Sequence, residues 1–127
     1  MQVMIEREAE DFLEAAGIKV AQRKICKNYV ETLKSAKKFG YPIVMKVVSK
    51  KILHKSDVGG VALDIKSDDE LKKEFNKMKL LPGFEAVMVQ HYMEGVYVLL
   101  GLKKDPAFGH VVVVGAGGIY TELFKDV

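Results

Sequence analysis

Residues 43–49 (IVMKVVS) constrain the fold more than any other stretch of this chain. The segment is too apolar for an edge strand and is typical of a strand buried on both faces. A single lysine, Lys46, interrupts it. An ammonium group inside such a strand is costly unless it meets an anion or water. Two interpretations of Lys46 stay open: a lysine that extends along the sheet to solvent, or a point charge that binds phosphate from a rigid strand.

Helices are expected before and after this strand in the sequence. Asn28 with Glu31, and Ser67 with Glu70, are capping patterns that predict the starts of two helices, and Gly40 predicts the end of the first. Apolar spacing predicts an earlier helix over residues 5–16. The expected inner faces are Ile5, Ala9, Phe12, Leu13 and Ala16 in the earliest helix, Val30, Leu33, Ala36 and Phe39 in the next, and Leu71, Phe75 and Met78 in the last.

Further strands are predicted around these helices. They are expected at residues 18–25, 61–65, 86–92, 96–102 and 110–114, the last of them buried, with connections at 53–60 and 103–109. The predicted order is helix, strand, helix, strand, loop, strand, helix, three strands and a glycine loop. This order indicates an α/β fold of α+β layers with an antiparallel portion.

Composition fits one folded domain and excludes several classes of protein. The 127 residues are 49% hydrophobic and 29% charged, which excludes a disordered chain. The net charge of +3 is small and only two cations are arginines, so no nucleic-acid partner is expected. No apolar run approaches the ~20 residues of a membrane helix. The single cysteine, Cys26, predicts a buried structural thiol and a reducing, cytoplasmic location.

The loop at residues 53–60 (LHKSDVGG) combines residue types that handle phosphate. The imidazole of His54 suits proton transfer and can also accept a phosphoryl group. Asp57 is placed to orient or charge-stabilise His54, and Gly59 with Gly60 would permit close approach of a ligand to the backbone. The alternative is an ordinary polar connection in which His54 has no chemical role.

A second glycine-rich stretch follows the last predicted strand. Gly115, Ala116, Gly117 and Gly118 resemble loops whose backbone N–H groups hold an anion. The pattern is not a Walker loop, because no Lys-Ser/Thr follows. Glu122 lies just beyond and is expected to reach the same region. The alternative is a simple turn that leaves a strand. The three histidines lack metal-ligand spacing, so no metal site is predicted.

Two long stretches resemble a known family. Residues 40–65 (GYPIVMKVVSKKILHKSDVGGVALDI) are similar to the signature of the ATP-grasp domain of ADP-forming acyl-CoA synthetases, the beta subunit of acetate–CoA ligase (ADP-forming). Residues 101–127 resemble that family's Asp-Pro-x-Phe-Gly and Gly-Leu-Gly-Gly-Ile run. The resemblance implies a single ATP-grasp-like domain over residues 1–127, with a complete N-terminal lobe and only part of the second lobe.

The resemblance also implies a function. The family interconverts acyl-CoA, ADP and phosphate with acid, CoA and ATP, and phosphate passes through histidines. This implies that Lys46 contacts the phosphates of ATP or ADP and that His54 relays the phosphoryl group, with Asp57, Gly59 and Gly60 shaping its loop. The other implied nucleotide-side residues are Gln90, near the adenine-side hinge, and Gly115, Gly117, Gly118 and Glu122, on the glycine loop. The implied partners are a CoA-binding alpha subunit and a chain carrying the missing lobe, and a homo-oligomer stays open.

The sequence departs from the family in two respects. Tyr97 follows Gly95-Val96 where the family has an acid, and a phenol supplies no fixed negative charge. The family's Mg²⁺ ligands lie in later segments that this sequence lacks, so Mg²⁺ is expected for the family without ligands here. Phosphoryl transfer without that metal loses charge stabilisation. A second hypothesis is therefore a catalytically silent relative that binds a partner or a nucleotide without turnover.

Overall fold

The computed structural model describes residue 4, residues 6–52 and residues 54–117. The order of elements confirms the predicted one. They are α1 (Glu6–Ala15), β1 (Arg23–Cys26), α2 (Tyr29–Phe39), β2 (Ile43–Val48), a 3₁₀ turn (Ser56–Val58), β3 (Val61–Ile65), α3 (Asp68–Lys79), β4 (Ala86–His91), β5 (Val98–Asp105) and β6 (Gly109–Ala116). The chain divides between Met93 and Glu94 into two compact units.

The first unit contains a four-stranded antiparallel sheet in the order β1-β4-β2-β3. Met88 of β4 pairs with Ile25 on one side and with Lys46 on the other, and Lys46 pairs in turn with Val61. Paired residues point to the same face of a sheet, and residues two apart share that face. One face of the sheet packs against helices α2 and α3 and is called the core face. The other, the Lys46 face, is formed by Arg23, Ile25, Val44, Lys46, Val48, Val61, Ala86, Met88 and Gln90.

Helices α2 and α3 cover the core face. The predicted inner face of α3 is confirmed, because Leu71 and Met78 are fully buried and Phe75 is 3% exposed. The Phe75 ring contacts Tyr29 of α2 at 5.7 Å between ring centroids. The core cluster consists of Cys26, Ala36, Ile43, Met45, Ala62, Ile65, Leu71, Phe75, Met78, Val87 and Val89. Cys26 is a buried free thiol, as predicted.

Both capping patterns are confirmed. The Asn28 side chain accepts a hydrogen bond from the Glu31 N–H at 2.9 Å, and Ser67 Oγ accepts one from the Glu70 N–H at 3.2 Å. Each glutamate in turn accepts the backbone N–H of the residue before the cap. Gly40 ends α2 at φ 80°, and its N–H bonds to a carbonyl of the last turn. The helix starts are thus encoded locally.

The predicted inner face of α2 is partly wrong. Val30 is 75% exposed, while Thr32 and Ser35 are buried. The helix is rotated because Tyr29 packs on Phe75 of α3. The Thr32 hydroxyl donates to the Asn28 carbonyl at 2.8 Å, so its burial leaves no unpaired polar group.

The bounds of two strands and of one connection also differ clearly from the prediction. The strand expected at 18–25 is limited to Arg23–Cys26, because its partner β4 ends at His91 and pairs only with those residues. The strand expected at 96–102 is β5, which begins at Val98 and runs to Asp105. The connection expected at 103–109 shrinks to residues 106–108, because the strands continue pairing to the turn. The Asp105 side chain accepts the N–H groups of Ala107 and Phe108 at 2.8 and 3.0 Å, which closes that turn.

The second unit contains the β5–β6 hairpin. The expectation of a buried strand at 110–114 is wrong among the described residues, since Val112 is 69% and Val114 is 64% exposed. Register places these valines opposite Leu102 and Leu100. Both faces of a two-stranded ribbon are open unless another element packs on it. One face, the hairpin apolar face, is formed by Val98, Leu100, Leu102, Val112 and Val114.

Candidate functional site

Lys46 meets an anion supplied by the chain itself. Its Nζ lies 2.6 Å from Glu6 Oε1, at the start of α1, and the Lys46 side chain is 24% exposed. The strand around it is buried as predicted, apart from the half-buried Val48 at its end. Neither interpretation of Lys46 anticipated this partner, because Glu6 is 40 residues away in sequence.

Lys55 reaches the same carboxylate from the other side. Its Nζ lies 2.5 Å from Glu6 Oε2, and its side chain is 19% exposed. Burial acts to raise the pKa of the Glu6 carboxyl, but hydrogen bonds and charge from Lys46 and Lys55 outweigh it, so this pKa lies below its ordinary value. Glu6 is therefore ionised at neutral pH, and Lys46, Glu6 and Lys55 form one charged cluster.

This cluster lines a cavity of about 640 Å³ on the Lys46 face. Side chains of β2, of the connection at 54–57 and of α1 contribute to its wall. The cationic lining residues are Arg7, Lys46, Lys50 and Lys55, and the acidic ones are Glu6 and Asp57. With histidine neutral, the lining carries an excess of two positive charges, which suits an anionic ligand.

His54 and Asp57 line this cavity together with Lys46. Both side chains are exposed, and Asp57 lies in the 3₁₀ turn Ser56–Val58. Within the described parts of the chain, no hydrogen bond or ion pair engages the His54 imidazole. The structure therefore brings three of the predicted site residues to one place, although it shows no direct bond between His54 and Asp57.

The two glycines of the loop serve its own packing. Gly59 adopts φ 73°, the left-handed region that favours glycine, and its N–H bonds to Ser56 O at 3.3 Å. Gly60 is buried: a Cβ there would lie 2.5 Å from Val47 Cγ1 and 2.9 Å from Lys55 O. Protein atoms thus fill the space that a side chain at Gly60 would take, and the approach of a ligand to the backbone of Gly59 and Gly60 stays a prediction.

Gln90 lies on the Lys46 face but away from the cavity lining. It is 5% exposed, and its amide donates to Glu10 Oε1 at 2.6 Å. Register places it beside Arg23, whose Nε lies 3.0 Å from Glu10 Oε2. In this structure the Gln90 amide therefore contacts helix α1, and its predicted place at a nucleotide hinge stays a prediction.

Helix α1 contacts the Lys46 face through its acidic side chains. No residue of the helix is fully buried, and Phe12, assigned to the inner face, is 62% exposed. Arg23 holds the helix, since its guanidinium also lies 2.6 Å from Asp11 and 3.1 Å from Glu14. The prediction of a helix is confirmed. Of its predicted inner face, Ile5 lies outside the described residues, and the assignment of Phe12, Leu13 and Ala16 is wrong because they are exposed. The spacing of Glu6, Glu10 and Glu14 at i, i+4 and i+8 was the signal for this acidic side.

The glycine stretch at 115–118 is not a loop over its first residues. β6 extends to Ala116, and Gly115 pairs with Leu99. The Gly117 N–H donates to Tyr97 O at 3.0 Å, and a Cβ on Gly117 would lie 3.1 Å from the Tyr97 carbonyl carbon. Glycine at 117 thus permits close packing on the strand partner. The predicted phosphate-side residues Gly118 and Glu122 lie outside the described residues.

No metal-binding cluster is found in the described parts of the chain, where no three His, Cys, Asp or Glu side chains are grouped to hold an ion. Among the same residues, every helix is too short or too polar to cross a membrane.

Comparison with known proteins agrees with this architecture. A family model for an ATP-grasp domain matches residues 1–127, and the chain belongs to the ATP-grasp domain family. Within that family it is homologous to the beta subunits of ADP-forming acetate–CoA ligases. It is 42% identical over 132 residues to subunit beta of acetate–CoA ligase (ADP-forming) II of Pyrococcus furiosus, an alignment covering 98% of this chain and 56% of that subunit.

Solved structures show the same fold. The dinucleotide-forming acetyl-coenzyme A synthetase 1 of Ca. Korarchaeum cryptofilum, in complex with coenzyme A, Ca-AMPCP and HgCl⁺, matches with a TM-score of 0.83 at 35% identity. That match covers 97% of this chain and 57% of the other. A second structure of that synthetase, with coenzyme A and Mg-AMPPCP and its phosphohistidine segment pointing towards the nucleotide binding site, matches with a TM-score of 0.75 at 34% identity. This match covers 97% of this chain and 54% of that chain.

The resemblance predicted from the sequence is confirmed, and so is the ATP-grasp-like α/β fold. The chain spans about half the length of the beta subunit and of the synthetase chain, and 19% of two longer relatives.

Proposed function

We propose that this chain is a nucleotide-binding piece of an ADP-forming acyl-CoA synthetase, and that the cavity on the Lys46 face holds the phosphates of ATP or ADP. One observation carries the proposal: a single cavity gathers the strand lysine Lys46, a second lysine and the histidine His54. Support comes from homology to acetate–CoA ligase beta subunits and from the synthetase structure in which a phosphohistidine segment points towards the nucleotide binding site. The family match over residues 1–127 supports a single ATP-grasp-type domain over these residues.

The electrostatics of the cavity suit this ligand. Phosphoryl transfer depends mainly on positioning and on neutralising the charge of the phosphate oxygens. Lys46 projects from a buried strand, so little conformational freedom remains to be lost when it binds a phosphate. The cationic side chains of the lining outnumber its acids, Glu6 and Asp57, by two, so the lining keeps a net positive charge.

We assign the phosphoryl relay to His54. In this step a ring nitrogen of neutral His54 attacks the terminal phosphorus of ATP, an N–P bond forms, and the bond from phosphorus to the ADP oxygen breaks. Synthesis of ATP is the reverse. The exposure of His54 supports this role, because the imidazole is accessible and unpaired in the described structure. Asp57, in the same cavity wall, would stabilise the cationic phosphoimidazole through space.

Mg²⁺ does not fit the described residues. The family uses this ion with its nucleotide, but the cavity offers only the separate carboxylates of Glu6 and Asp57, and Glu6 is already bound to two lysines. The described residues therefore supply no metal ion for the phosphoryl transfer.

We propose two kinds of partner. Homology to a beta subunit supports a CoA-binding alpha subunit that would exchange the phosphoryl group with His54. The hairpin apolar face supports a second contact, because a contiguous exposed apolar strand face is typical of an interaction surface. The cover would be a segment carrying the rest of the ATP-grasp fold or a second copy of this chain. The free thiol of Cys26 is consistent with a cytoplasmic location.

A silent nucleotide-binding relative is the second candidate. It is favoured by Tyr97, which stands exposed where the family has an acid. Both candidates bind nucleotide, so binding and transfer need separate experiments.

Binding is tested by calorimetric titration of ATP and ADP, with and without Mg²⁺. Removing one charge-assisted contact in Lys46→Met should weaken binding about 10- to 100-fold, since such hydrogen bonds contribute about 1.5–3 kcal/mol. Lys24→Met is the matched control, because Lys24 is an exposed lysine of the same sheet whose register places it on the core face. Equal affinities of the Lys46→Met variant and the unmodified chain would refute the phosphate contact.

Transfer is tested with ATP labelled at the terminal phosphate, in the presence of the alpha subunit. We expect acid-labile label on this chain that is lost in His54→Ala and kept in His110→Ala, which removes an exposed histidine of the second unit. Nucleotide binding without label in either protein would favour the silent relative.

A further inference from the structure

We propose that Lys46 and Lys55 together form a two-lysine phosphate subsite and that the Glu6 carboxylate is an internal anion which occupies this subsite until a phosphate group displaces it. This inference rests on the proposed function and extends it. It makes Lys55 a second phosphate-binding residue and makes Glu6 a competitor of the nucleotide.

The first support is geometric. Each carboxylate oxygen of Glu6 binds one lysine, at 2.6 Å to Lys46 and 2.5 Å to Lys55. The carboxylate therefore bridges two ammonium groups that come from different elements, strand β2 and the connection after it. A terminal phosphate presents three oxygens with the same acceptor chemistry, so two of them can replace the two oxygens of Glu6. The three side chains are partly buried, with exposures between 19% and 30%, and all line the cavity.

The second support is charge. With Glu6 in place the cluster carries one net positive charge, and without it the cluster carries two, which matches a phosphate dianion. Because the two lysines lower the pKa of the Glu6 carboxyl against the effect of burial, Glu6 is anionic at neutral pH. An ionised carboxylate at this position must lower the affinity of the subsite for any other anion.

The third support is the way α1 is attached. Glu6 is the first residue of the helix, and no residue of the helix is fully buried. The following turns are held separately, by Glu10, Asp11 and Glu14 on Arg23 and by Glu10 on Gln90. Withdrawal of Glu6 therefore requires only a change of its side chain or of the first turn, while the rest of α1 stays on the sheet.

The alternative role of Glu6 is to position the two lysines. A positioning carboxylate and a competing carboxylate predict opposite effects when Glu6 is neutralised. Glu6→Gln keeps the size of the side chain and removes its charge, so this substitution separates the two roles.

The experiment is calorimetric titration of ADP and of pyrophosphate into the full chain. We expect Glu6→Gln to bind both about tenfold more tightly and Lys55→Met to bind both about tenfold more weakly, since each changes one charged contact with phosphate. Lys55→Arg, which keeps the charge, should restore most of the affinity. Glu74→Gln is the matched control: it also removes one negative charge, but Glu74 lies on α3 and pairs with Lys77. Its affinities should equal those of the unmodified chain.

Unfolding is excluded as a cause by recording a thermal melt for each variant. Glu6→Asp supplies a second test, because the shorter side chain cannot reach both lysines as Glu6 does and should give an intermediate gain in affinity. Unchanged or weaker binding in Glu6→Gln, or unchanged binding in Lys55→Met, would overturn the inference while leaving nucleotide binding intact. No binding in any of the proteins, Glu6→Gln included, would overturn both the inference and the proposed function.

Discussion

Gly60→Ala should open the loop that carries His54 and Lys55. An alanine Cβ at this position would lie 2.5 Å from Val47 Cγ1 and 2.9 Å from the Lys55 carbonyl oxygen, both shorter than real Cβ contacts. That carbonyl also accepts the Gly60 N–H at 2.7 Å, and the Gly60 carbonyl accepts the Val47 N–H at 2.7 Å. The clash therefore falls on one hydrogen bond that closes the loop on itself and on one that fastens it to strand β2.

The loss of folding stability in Gly60→Ala follows from overpacking. Extra carbon atoms in a filled space cost about 1–3 kcal/mol, and the loss of alternative backbone states in the unfolded chain returns about 0.4–1 kcal/mol. Because the Cβ would meet a side chain and a backbone carbonyl at once, we expect the upper end of that cost and a net loss of about 2 kcal/mol. For a unit of this size that corresponds to a fall in Tm of about 8–16 °C. Because Lys55 moves with the loop, nucleotide affinity should fall as well.

Gly59→Ala is the matched control. A Cβ on Gly59 meets nothing within 4 Å, so its only cost is the left-handed backbone at φ 73°. That cost is about 1–2 kcal/mol before the same unfolded-state gain. Thermal and urea unfolding of both variants should therefore show Gly60→Ala as clearly the less stable. A Gly60→Ala protein as stable as Gly59→Ala would show that the packing of the loop on Val47 is not the constraint described.

Three further predictions concern stability and association. Burial and the 2.6 Å hydrogen bond to Asp68 raise the pKa of the Tyr41 phenol above its ordinary 10.0, so Tyr41 contributes stability below pH 10 that is lost as pH rises further. Tyr41→Phe should therefore lower Tm at neutral pH and remove the loss of stability above pH 10. Identical melting profiles of the two proteins above pH 10 would contradict this prediction. Since the pKa of Glu6 lies below its ordinary 4.5, its contribution to folding stability is present above pH 4.5 and is lost as pH falls through the lowered value. The urea unfolding midpoint of Glu6→Gln should therefore change less at acidic pH than that of the unmodified chain. An equal dependence of the two midpoints on pH would argue against the cluster. The exposed hairpin apolar face should make the isolated 127-residue chain self-associate. Replacing Leu100 and Val114 by threonine should shift its sedimentation towards that of the monomer. An unmodified chain that sediments as a monomer would contradict this prediction.

Local features of the chain were predictable from sequence. Asn28 and Ser67 cap helices because their own side chains bond to nearby N–H groups, so neighbouring residues decide the result. The burial of most of β2 followed from its apolar residues on both sides of Lys46. The grouping of Lys46, His54 and Asp57 at one cavity also followed, because the loop connects directly to the lysine strand.

Long-range partners were not predictable in the same way. Glu6 and Lys46 are 40 residues apart, and no periodicity in either segment reports their contact. The burial of Gly60 against Val47 depends on how the loop folds back, which residue type alone leaves open. The exposure of Val112 and Val114 follows from the two-stranded pairing of β6, whereas their composition alone indicated a buried strand.

The central claim is that nucleotide phosphates bind in the cavity formed by Lys46, Lys55 and His54. Backbone amide NMR of the isotope-labelled chain during titration with ADP tests it most directly. The claim predicts that the largest shifts fall on residues 46–57 and on the first turn of α1, where Glu6 is displaced, and that Lys46→Met suppresses them. Shifts of equal size spread over α2 and α3, or shifts that persist unchanged in Lys46→Met, would contradict it.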